Sequence, residues 1–487
     1  MVYDLTQILF LRQSLNLMMV AQTMIGRIRD SFFVSGTAGS AVRLLFKYNK
    51  SVQVVCPTGN SANVINGVTL HSFLKIPTKN AKKDMKAPEG SIGESLQNNL
   101  EGLKFYWLMK DLLLEQQHWA GWNLYVGMAL KMLPPVLDSP IYNCSSSAPA
   151  ALHGVIAWKE FDHVVNLSCV VRQNEAEAQL KSVLSSLRDY SVTPEQYKWL
   201  QYFQWQNLIS VYGNNVLNDI ANEGLFVFPT HKQVWEHNKN KLLQLNEVYP
   251  VAEIRATSKG RHLNSDVNSG LLPKVYLCKK AKVMLTVNLC VPFGLFNGAT
   301  GIVQDILYLN DRRPPDSQPD VVFVYFPSYS GPACMSDNPQ LAPIVSVERF
   351  MDCICHFCKR KQIPLRLGWA TTIHKCQGIT VGQGEINRYI VIDPGKTSFE
   401  SRNSGALFVT LSRAKSTGNS KSDIPPDFAW HPSILINDDR ICFKVNTKTI
   451  QAGTKEIQRL KKIADITRTR PTKSVDPYRF KGTRATK

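Results

Sequence analysis

The segment from Pro364 to Thr380 reads PLRLGWATTIHKCQGIT and predicts an apolar strand that opens into a polar loop. Hydroxyl, imidazole, ammonium and amide groups crowd this loop, at Thr371, Thr372, His374, Lys375 and Gln377. Gly378 lets the backbone turn where a Cβ would clash. Exposure alone accounts for any one of these polar residues, but it accounts poorly for the whole string. The segment therefore predicts a loop that lies beside a polyanion and suits phosphate.

Two other regions show the strand, loop and helix order of an α/β fold. The run SFFV at 31–34 precedes the loop SGTAG and a helical segment, and a second strand is predicted at 52–56. Another series begins near Gly224, where LFVFPTHKQVWEHN indicates a strand that feeds a helix. It resumes at 390–392 and 407–411. The pattern predicts parallel sheets.

The stretch from about 275 to 365 is rich in Val, Phe, Tyr, Gly and Pro and predicts a small β insertion. It contains one cluster of metal-ligand residue types, namely Cys353, Cys355, His356 and Cys358. Strand alternation sends these side chains to opposite faces, and zinc sites usually take a second ligand pair from a separate segment. A hairpin strand leading into the basic turn Lys359-Arg360-Lys361 is therefore favoured, and no metal site is predicted.

The charge balance points to a polyanionic partner. The chain has 487 residues, with 57 Lys and Arg against 38 Asp and Glu, and a net charge of +19. Such a charge favours nucleic acid or an anionic membrane surface. No run of about 18 apolar residues is present to span a bilayer, and nothing indicates a membrane or an obligate protein partner. The 11 cysteines follow no regular framework and suit a reducing, intracellular compartment.

The segment 364–380 resembles the motif that follows the fifth conserved block of superfamily 1 helicases. The match is to their Pif branch (Pif/RecD), and especially to the copies carried by Helitron transposons. Other segments match in the family's order: VCPTGNSANVINGVTLHSFLKIP at 55–77, LPPVLDSPIY at 133–142, residues 153–173, KVMLTVNLCVPFGLFNGATGIV at 282–303 and FVTLSR at 408–413. The resemblance covers roughly residues 34 to 465, and its ordered blocks argue strongly against chance.

This resemblance implies an α/β fold of the P-loop NTPase class, with two tandem RecA-like motor domains and a small β-barrel-like insertion in the second. It implies ATP-dependent 5′→3′ DNA unwinding in DNA repair, recombination and telomere maintenance. ATP and Mg²⁺ are the implied cofactors, and single-stranded or forked DNA is the implied partner. The predicted limits are 1–30 for an N-terminal helix, 31–175 for the first motor domain, 176–222 for a helical connector, 223–445 for the second motor domain and 446–487 for a basic helix and tail.

The resemblance also assigns roles to particular positions. The residues that match DNA-contacting positions are Thr58, Thr69 and His71 in the first motor domain and Thr372, His374 and Lys375 in the second. The positions that match the phosphate loop are Gly36, Thr37, Ala38 and Gly39. Arg172 and Arg413 match the two arginines that reach the γ-phosphate. Gln377 and Gly378 match the loop that couples nucleotide to DNA.

The predicted phosphate loop departs from the family pattern after its first four residues. ATP hydrolysis needs glycine amides around the phosphates, a lysine to neutralise them and a Ser or Thr hydroxyl on magnesium. After Gly39 the expected Gly-Lys-Ser/Thr is replaced by Ser40-Ala41-Val42-Arg43, so the lysine is absent. Arg43 is a poor substitute for this lysine, because it is offset by two helical positions and because its planar guanidinium differs from a compact ammonium.

The family's paired carboxylates and phosphate-sensing glutamine are missing as well. An Asp-Glu pair at the end of a strand, after residues 100–104, would hold magnesium and position water. The sequence there reads FYWLMKDLLLEQQHW, in which Asp111 and Glu115 lie four positions apart among helix-formers. The expected Gly-Asp-Phe-x-Gln reads MALKM at 128–132. These losses predict ATP turnover near background.

The two ends of the chain carry further expectations. Residues 5–29 contain arginines and no acid, which is typical of a mitochondrial presequence or of a plain first helix, and the plain helix is preferred. A helix is predicted at 455–466, followed by a basic tail that serves solubility or nucleic-acid binding. The nucleus is the expected location, with the mitochondrion as the alternative.

Two classes of function stay open on the sequence. The first is a DNA-binding protein of the helicase family that lacks ATP turnover, a pseudoenzyme. The second is an active ATP-dependent DNA helicase whose gene model is incomplete or variant. Whether the chain is an enzyme depends on which class is right.

Overall fold

The computed structural model describes most of the chain after residue 171 and six separate strands before it. The described residues are the strands at 32–36, 52–56, 68–69, 105–109, 125–128 and 163–167, and residues 159, 170, 172–259, 270–350, 358–419, 424–435, 439–441, 455–456 and 458–466. The predicted N-terminal helix, the loop after Gly36 and the basic tail after Ile466 lie outside these residues.

The six strands before residue 168 pair in parallel into one sheet. They are β1 (Phe32–Gly36), β2 (Val52–Cys56), β3 (Val68–Thr69), β4 (Phe105–Met109), β5 (Tyr125–Met128) and β6 (His163–Leu167). Their order across the sheet is β3-β2-β4-β5-β1-β6, and every neighbouring pair is parallel. Parallel strands end at a common edge, so the carboxyl ends of β1, β4 and β5 lie side by side, where open α/β sheets bind ligands.

The strands β1 and β2 confirm the sequence prediction, whereas β4 is a strand that the residues alone do not predict. The sequence places Asp111 and Glu115 among helix-formers and leaves the run FYWLM unassigned, and residues 105–109 form a strand. The aromatic residues Phe105, Tyr106 and Trp107 suit a strand that is paired on both sides. β4 thus follows residues 100–104 directly, where the family resemblance expects the Asp-Glu strand. Asp111 comes two positions after its last residue, and both Asp111 and Glu115 lie outside the described residues.

Three helices precede the second sheet. They are α1 (Ala178–Asp189), α2 (Pro194–Gln201) and α3 (Trp205–Glu223). α2 begins at a capping box, because Thr193 and Gln196 exchange side-chain and backbone hydrogen bonds and Pro194 takes the first helical position. Gly213 interrupts α3 with a φ of +76°. These helices fall within 178–223, and the helical connector at 176–222 and the other domain limits stay predictions.

The strand and helix predicted after Gly224 are also confirmed. β7 (Leu225–Phe228) is buried along its whole length, and α4 (His231–Asn246) follows it after a two-residue link. Thr230 caps α4, because its hydroxyl accepts a hydrogen bond from the amide of Gln233 at 3.4 Å.

Ten described strands between residues 252 and 367 form antiparallel sheets. They are β8 (Ala252–Arg255), β9 (Thr257–Lys259), β10 (Lys274–Leu277), β11 (Lys282–Leu285), β12 (Thr300–Leu307), β13 (Val321–Tyr325), β14 (Leu341–Ile344), β15 (Val347–Phe350), β16 (Lys359–Gln362) and β17 (Leu365–Leu367). Their orders are β14-β13-β12-β11-β17, β15-β16-β9 and β10-β8. The predicted β character of this region is confirmed, and a closed barrel stays a prediction.

The segment predicted as a basic turn is a strand. Residues 359–362 form β16, which pairs antiparallel with β15, so the hairpin is present but the turn is wrong. Arg360 is buried, and its guanidinium donates a hydrogen bond to the carbonyl of Leu271 at 3.0 Å. Cys358 is buried, while Cys353, Cys355 and His356 lie outside the described residues. Within the described parts, no three His, Cys, Asp or Glu residues group as a metal site.

The second parallel sheet has the order β18-β7-β19-β20, with β18 (Ala370–Thr372), β19 (Ile390–Ile392) and β20 (Phe428–Trp430). Residues 407–411 form most of a helix, since α5 (Thr397–Arg402) and α6 (Ala406–Leu411) lie between β19 and β20. Apolar side chains of α1, α2 and α6 pack with those of β7, β19 and β20 in one core. Residues 455–456 and 458–466 are helical, as predicted. No described helix is long and apolar enough to cross a membrane.

Candidate nucleic-acid and nucleotide sites

The polar loop of the segment 364–380 follows the carboxyl end of β18. A short 3-10 turn from Ile373 to Cys376 buries both of these end residues in the core. His374 is half-buried and Lys375 is exposed. Gly378 then takes a φ of +87°, a conformation that favours glycine. The turn therefore holds His374 and Lys375 outward on a rigid base.

Four basic side chains, those of His231, Arg366, His374 and Lys375, converge at this edge of the sheet, the cationic edge. Arg366 donates a hydrogen bond to the hydroxyl of Thr371 at 3.3 Å, and burial lowers its pKa to about 10. Desolvation by the surrounding protein, and then the charge of Arg366, lower the pKa of Lys375 to about 8. Burial, followed by Lys375 and Arg366, lowers the pKa of His231. Burial, followed by the charge of His231, lowers the pKa of His374.

The parallel arrangement of the sheet explains this convergence. β18 and β7 are adjacent and parallel, so the residues that follow them, namely 373–375 and the start of α4, meet at the same edge. Each pKa shift disfavours the charged form, because the groups are desolvated and repel one another. A phosphate placed among them would restore the charged forms. The geometry suits a polyanion, as the sequence predicts.

The two arginines assigned to the γ-phosphate also come together. Arg172 donates a hydrogen bond to the carbonyl of Ser412 at 3.0 Å. Arg413 is buried and donates to the carbonyl of Val409 and the hydroxyl of Ser412, both at 2.8 Å. Burial and then the charge of Arg413 lower the pKa of Arg172 to about 9, against the opposite influence of Glu385. Their proximity is observed, whereas their catalytic role stays a prediction.

A second set of contacts fixes Arg172 in place, and the sequence gives little sign of it. The side-chain amide of Gln173 donates to the carbonyl of Ala414 at 2.6 Å. The buried carboxylate of Glu177 accepts hydrogen bonds from the Ser416 hydroxyl at 2.6 Å and from the amide and hydroxyl of Thr417 at 3.0 and 2.8 Å. Residues 172–177 are thus attached to residues 412–417.

The other predicted site residues are placed as follows. Thr372 and Gln377 are buried. Gly36 is the last residue of β1 and Thr69 the last of β3, so both lie at the carboxyl edge of the first sheet. Thr37, Ala38, Gly39, Thr58 and His71 lie outside the described residues. Sequence reasoning missed Arg366, His231 and Glu177, although Arg366 lies inside the opening segment and His231 directly follows a helix cap.

The donor set does not fit hydrolysis of magnesium-bound ATP. The residues after β1 include no lysine before Arg43. β4 is followed by Lys110-Asp111 rather than by two carboxylates, and β5 ends in Met128 and is followed by Ala129. These positions therefore differ from the lysine, the Asp-Glu pair and the glutamine that the resemblance expects.

The chain resembles known helicases in sequence and in structure. No family model matches the sequence. The chain is 26% identical over 418 residues to the ATP-dependent DNA helicase PIF1 of Danio rerio, which covers 79% of this chain and 57% of that helicase. A structure of two coordinating Pif1 helicases at forked double-stranded DNA matches with a TM-score of 0.60 at 20% identity, over 94% of this chain and 98% of the other. The fold is that of the Pif1-type helicases.

A further Pif1 structure agrees with this assignment. The Bacteroides Pif1 helicase in complex with ADP-AlF3 and single-stranded DNA matches with a TM-score of 0.59 at 20% identity, over 91% of this chain and 96% of the other. The sequence relatives and the structural neighbours together support the Pif1-type helicase family, as the motif resemblance predicts. The chain spans little more than half the length of its Danio rerio relative, at 57%.

Proposed function

We propose that this chain is a single-stranded or forked DNA-binding protein of the Pif1-type helicase family that does not turn over ATP. The observation that carries the DNA-binding part is the convergence of His231, Arg366, His374 and Lys375 at one edge of the second sheet. Burial lowers the pKa of all four groups, and repulsion by neighbouring members adds to the shift at His231, His374 and Lys375, so a phosphate at this edge would favour their charged forms. The matched Pif1 structures, one on DNA unwinding at forked double-stranded DNA and one in complex with single-stranded DNA, support the same partner.

The loss of turnover rests on the first sheet. The strands that would carry the phosphate loop, the Asp-Glu pair and the sensing glutamine are all present as β1, β4 and β5. The residues that follow them lack the lysine, the adjacent carboxylates and the glutamine. ATP and Mg²⁺ are used by the family, and this chain retains Arg172 and Arg413 without the groups that would neutralise the remaining phosphate charge.

The assignments to a helicase subgroup and to a cellular location rest on the segment 364–380 and on the net charge of the chain. Its string PLRLGWATTIHKCQGIT supports the Helitron-associated subgroup, and a net charge of +19 supports a location beside nucleic acid, in the nucleus or alternatively the mitochondrion. A role in DNA repair, recombination or telomere maintenance follows from the family rather than from a residue of this chain.

An active ATP-dependent helicase with 5′→3′ polarity is the second candidate, and the position of Asp111 favours it. This carboxylate lies two positions after the end of β4, at the strand where the family places its metal-binding Asp. An incomplete gene model would explain a phosphate loop that lacks Gly-Lys-Ser/Thr beside a paired first sheet. Sequencing the transcript across codons 36 to 132 separates the two candidates, because a longer transcript that encodes Gly-Lys-Ser/Thr and Asp-Glu would establish the second.

Binding is tested by fluorescence anisotropy with a labelled oligothymidylate at several salt concentrations. We expect tight binding at low salt and a log-log salt slope of about −0.7 for each contacted phosphate. An affinity that is absent at low salt or independent of salt would refute DNA binding through the cationic edge.

A further inference from the structure

A half-exposed tryptophan, paired with a partly buried tyrosine, lies one helical turn from the cationic edge. Trp235 of α4 is 50% exposed, and its ring centroid lies 6.1 Å from that of Tyr276 on β10, with an interplanar angle of 50°. Indole is the largest apolar side chain, and leaving half of it in water sacrifices much of the free energy of burial. The exposed indole face is therefore available for a contact.

The charges around the pair indicate what that partner is. His231 and Lys239 lie four residues before and after Trp235, so the three share one face of α4. Lys274 shares a face of β10 with Tyr276, and Arg255 lies opposite it on β8. The carboxylate of Glu253 is bonded to both Arg255 at 2.7 Å and Lys274 at 3.2 Å. Basic side chains thus lie on either side of the rings, and Glu253, which is opposite Tyr276 in the register, binds the two on the β8–β10 side.

We propose that Trp235, supported by Tyr276, is a stacking platform for an unpaired DNA base next to the phosphate-binding edge. A groove that binds single-stranded nucleic acid combines cations for the backbone with aromatic rings on which bases stack. Trp235 supplies the ring, and His231 belongs both to the face of α4 that carries Trp235 and to the cationic edge. This inference rests on the proposed DNA binding and adds the group that recognises the base rather than the phosphate.

The ring contact with Tyr276 restricts the indole and makes it a positioned surface. A base that stacks on Trp235 would cover the exposed face of the indole. The sugar-phosphate backbone attached to that base would run between His231 and Lys274. Stacking depends on the face of a ring, which every base has, so the platform would tolerate any sequence.

The test compares two oligomers of equal length, one of thymidylates and one of abasic sugar-phosphate units, by fluorescence anisotropy. Trp235→Ala should weaken binding of the thymidylate oligomer by roughly 5- to 150-fold and leave binding of the abasic oligomer unchanged. Trp235→Phe should retain most of the affinity, because it keeps an aromatic face. Leu243→Ala is the matched control, since Leu243 is 54% exposed on the same helix.

The outcomes separate the two proposals. Equal losses on both oligomers, or a Trp235→Ala affinity that matches that of Leu243→Ala, would overturn the platform and leave DNA binding intact. A wild-type protein that binds neither oligomer would overturn both. Thermal unfolding of each variant shows whether a loss reflects folding, and a folded Trp235→Phe with the affinity of the Ala variant would also contradict stacking.

Discussion

Both parallel sheets bring the carboxyl ends of their strands to one edge, but the residues that follow those ends differ between the two. At the second sheet, the residues after β18 and β7 include His374, Lys375 and His231, which converge on one surface. At the first sheet, β1, β4 and β5 are paired in the order that brings their ends together, yet the family's catalytic groups do not follow them.

The difference shows that a fold and its chemistry depend on different residues. The sheets are specified by apolar strands such as Phe32–Gly36 and Leu225–Phe228, which pack whatever polar groups follow them. ATP hydrolysis depends on a few polar side chains at the strand ends, and losing them leaves the pairing of the strands intact. The first sheet can therefore persist without these groups, and in the proposed function the second sheet supplies the binding surface.

The largest expected effect comes from rebuilding the nucleotide site at the carboxyl edge of the first sheet. Insertion of Gly-Lys-Ser after Gly39, combined with Lys110→Asp and Asp111→Glu, should raise DNA-stimulated ATP hydrolysis by about 10³-fold or more, because phosphate charge and metal are then both served. A coupled assay of released phosphate measures it. Either change alone should give no recovery, and recovery from the loop insertion alone would show that Asp111 already serves the metal.

The next effect concerns the attachment of Arg172. Glu177→Ala should lower the free energy of unfolding by about 2–3 kcal/mol, because three hydrogen bonds from 416–417 lose a buried charged acceptor. Denaturant unfolding provides the measurement. Glu175→Ala, at an exposed position of the same segment, is the control and should change stability little. Equal stabilities for the two variants would show that the 412–417 segment is held by other contacts.

The cationic edge predicts a dependence of DNA binding on pH. Lys375→Ala should weaken binding about 10-fold or more and make the salt slope shallower by about 0.7, whereas Lys198→Ala, an exposed lysine of α2, should not. The pKa of Lys375 is about 8 in the free protein and rises beside phosphate. Affinity of the wild type should therefore fall as the pH rises through 8.

Lys375→Arg provides the control for this pH effect, because a guanidinium stays charged over the same range. Its affinity should fall much less between pH 7 and 9. A wild-type affinity that does not change over this range would place the phosphates elsewhere on the protein.

The smallest effect is expected from the tail. Removing residues 467–487 takes away seven Lys or Arg and one Asp. Non-specific DNA affinity should fall modestly and the salt slope should become shallower, with folding unchanged. An unchanged slope would indicate that the tail serves solubility, and that DNA contacts belong to the sheets.

The sequence predicts the elements of this fold better than it predicts the contacts of the site. β1, β2, β7 and α4 follow from apolar runs next to turn residues, and the loop after β18 follows from its density of polar groups. β4 is missed because its short aromatic run runs directly into residues that favour a helix. Local composition cannot show that neighbours on both sides pair with it.

Glu177 and His231 illustrate why the site contacts escape sequence reasoning. The hydrogen bonds of Glu177 join residues about 240 positions apart, and nothing in its neighbourhood marks the acid as buried. His231 follows a predictable helix cap, but its approach to Lys375 depends on the adjacency of β7 and β18. Motif resemblance locates Arg172, Arg413 and Lys375 only because their spacing matches a family.

The central claim is that the first sheet carries no working ATPase, and steady-state ATP hydrolysis by the unmodified chain tests it most directly. The rate should be the same with and without saturating single-stranded DNA, and Arg413→Ala should not change it. A rate that DNA stimulates and that Arg413→Ala abolishes would exclude a contaminant and show that the phosphate loop functions without its lysine. That result would contradict the account and identify the chain as an active helicase.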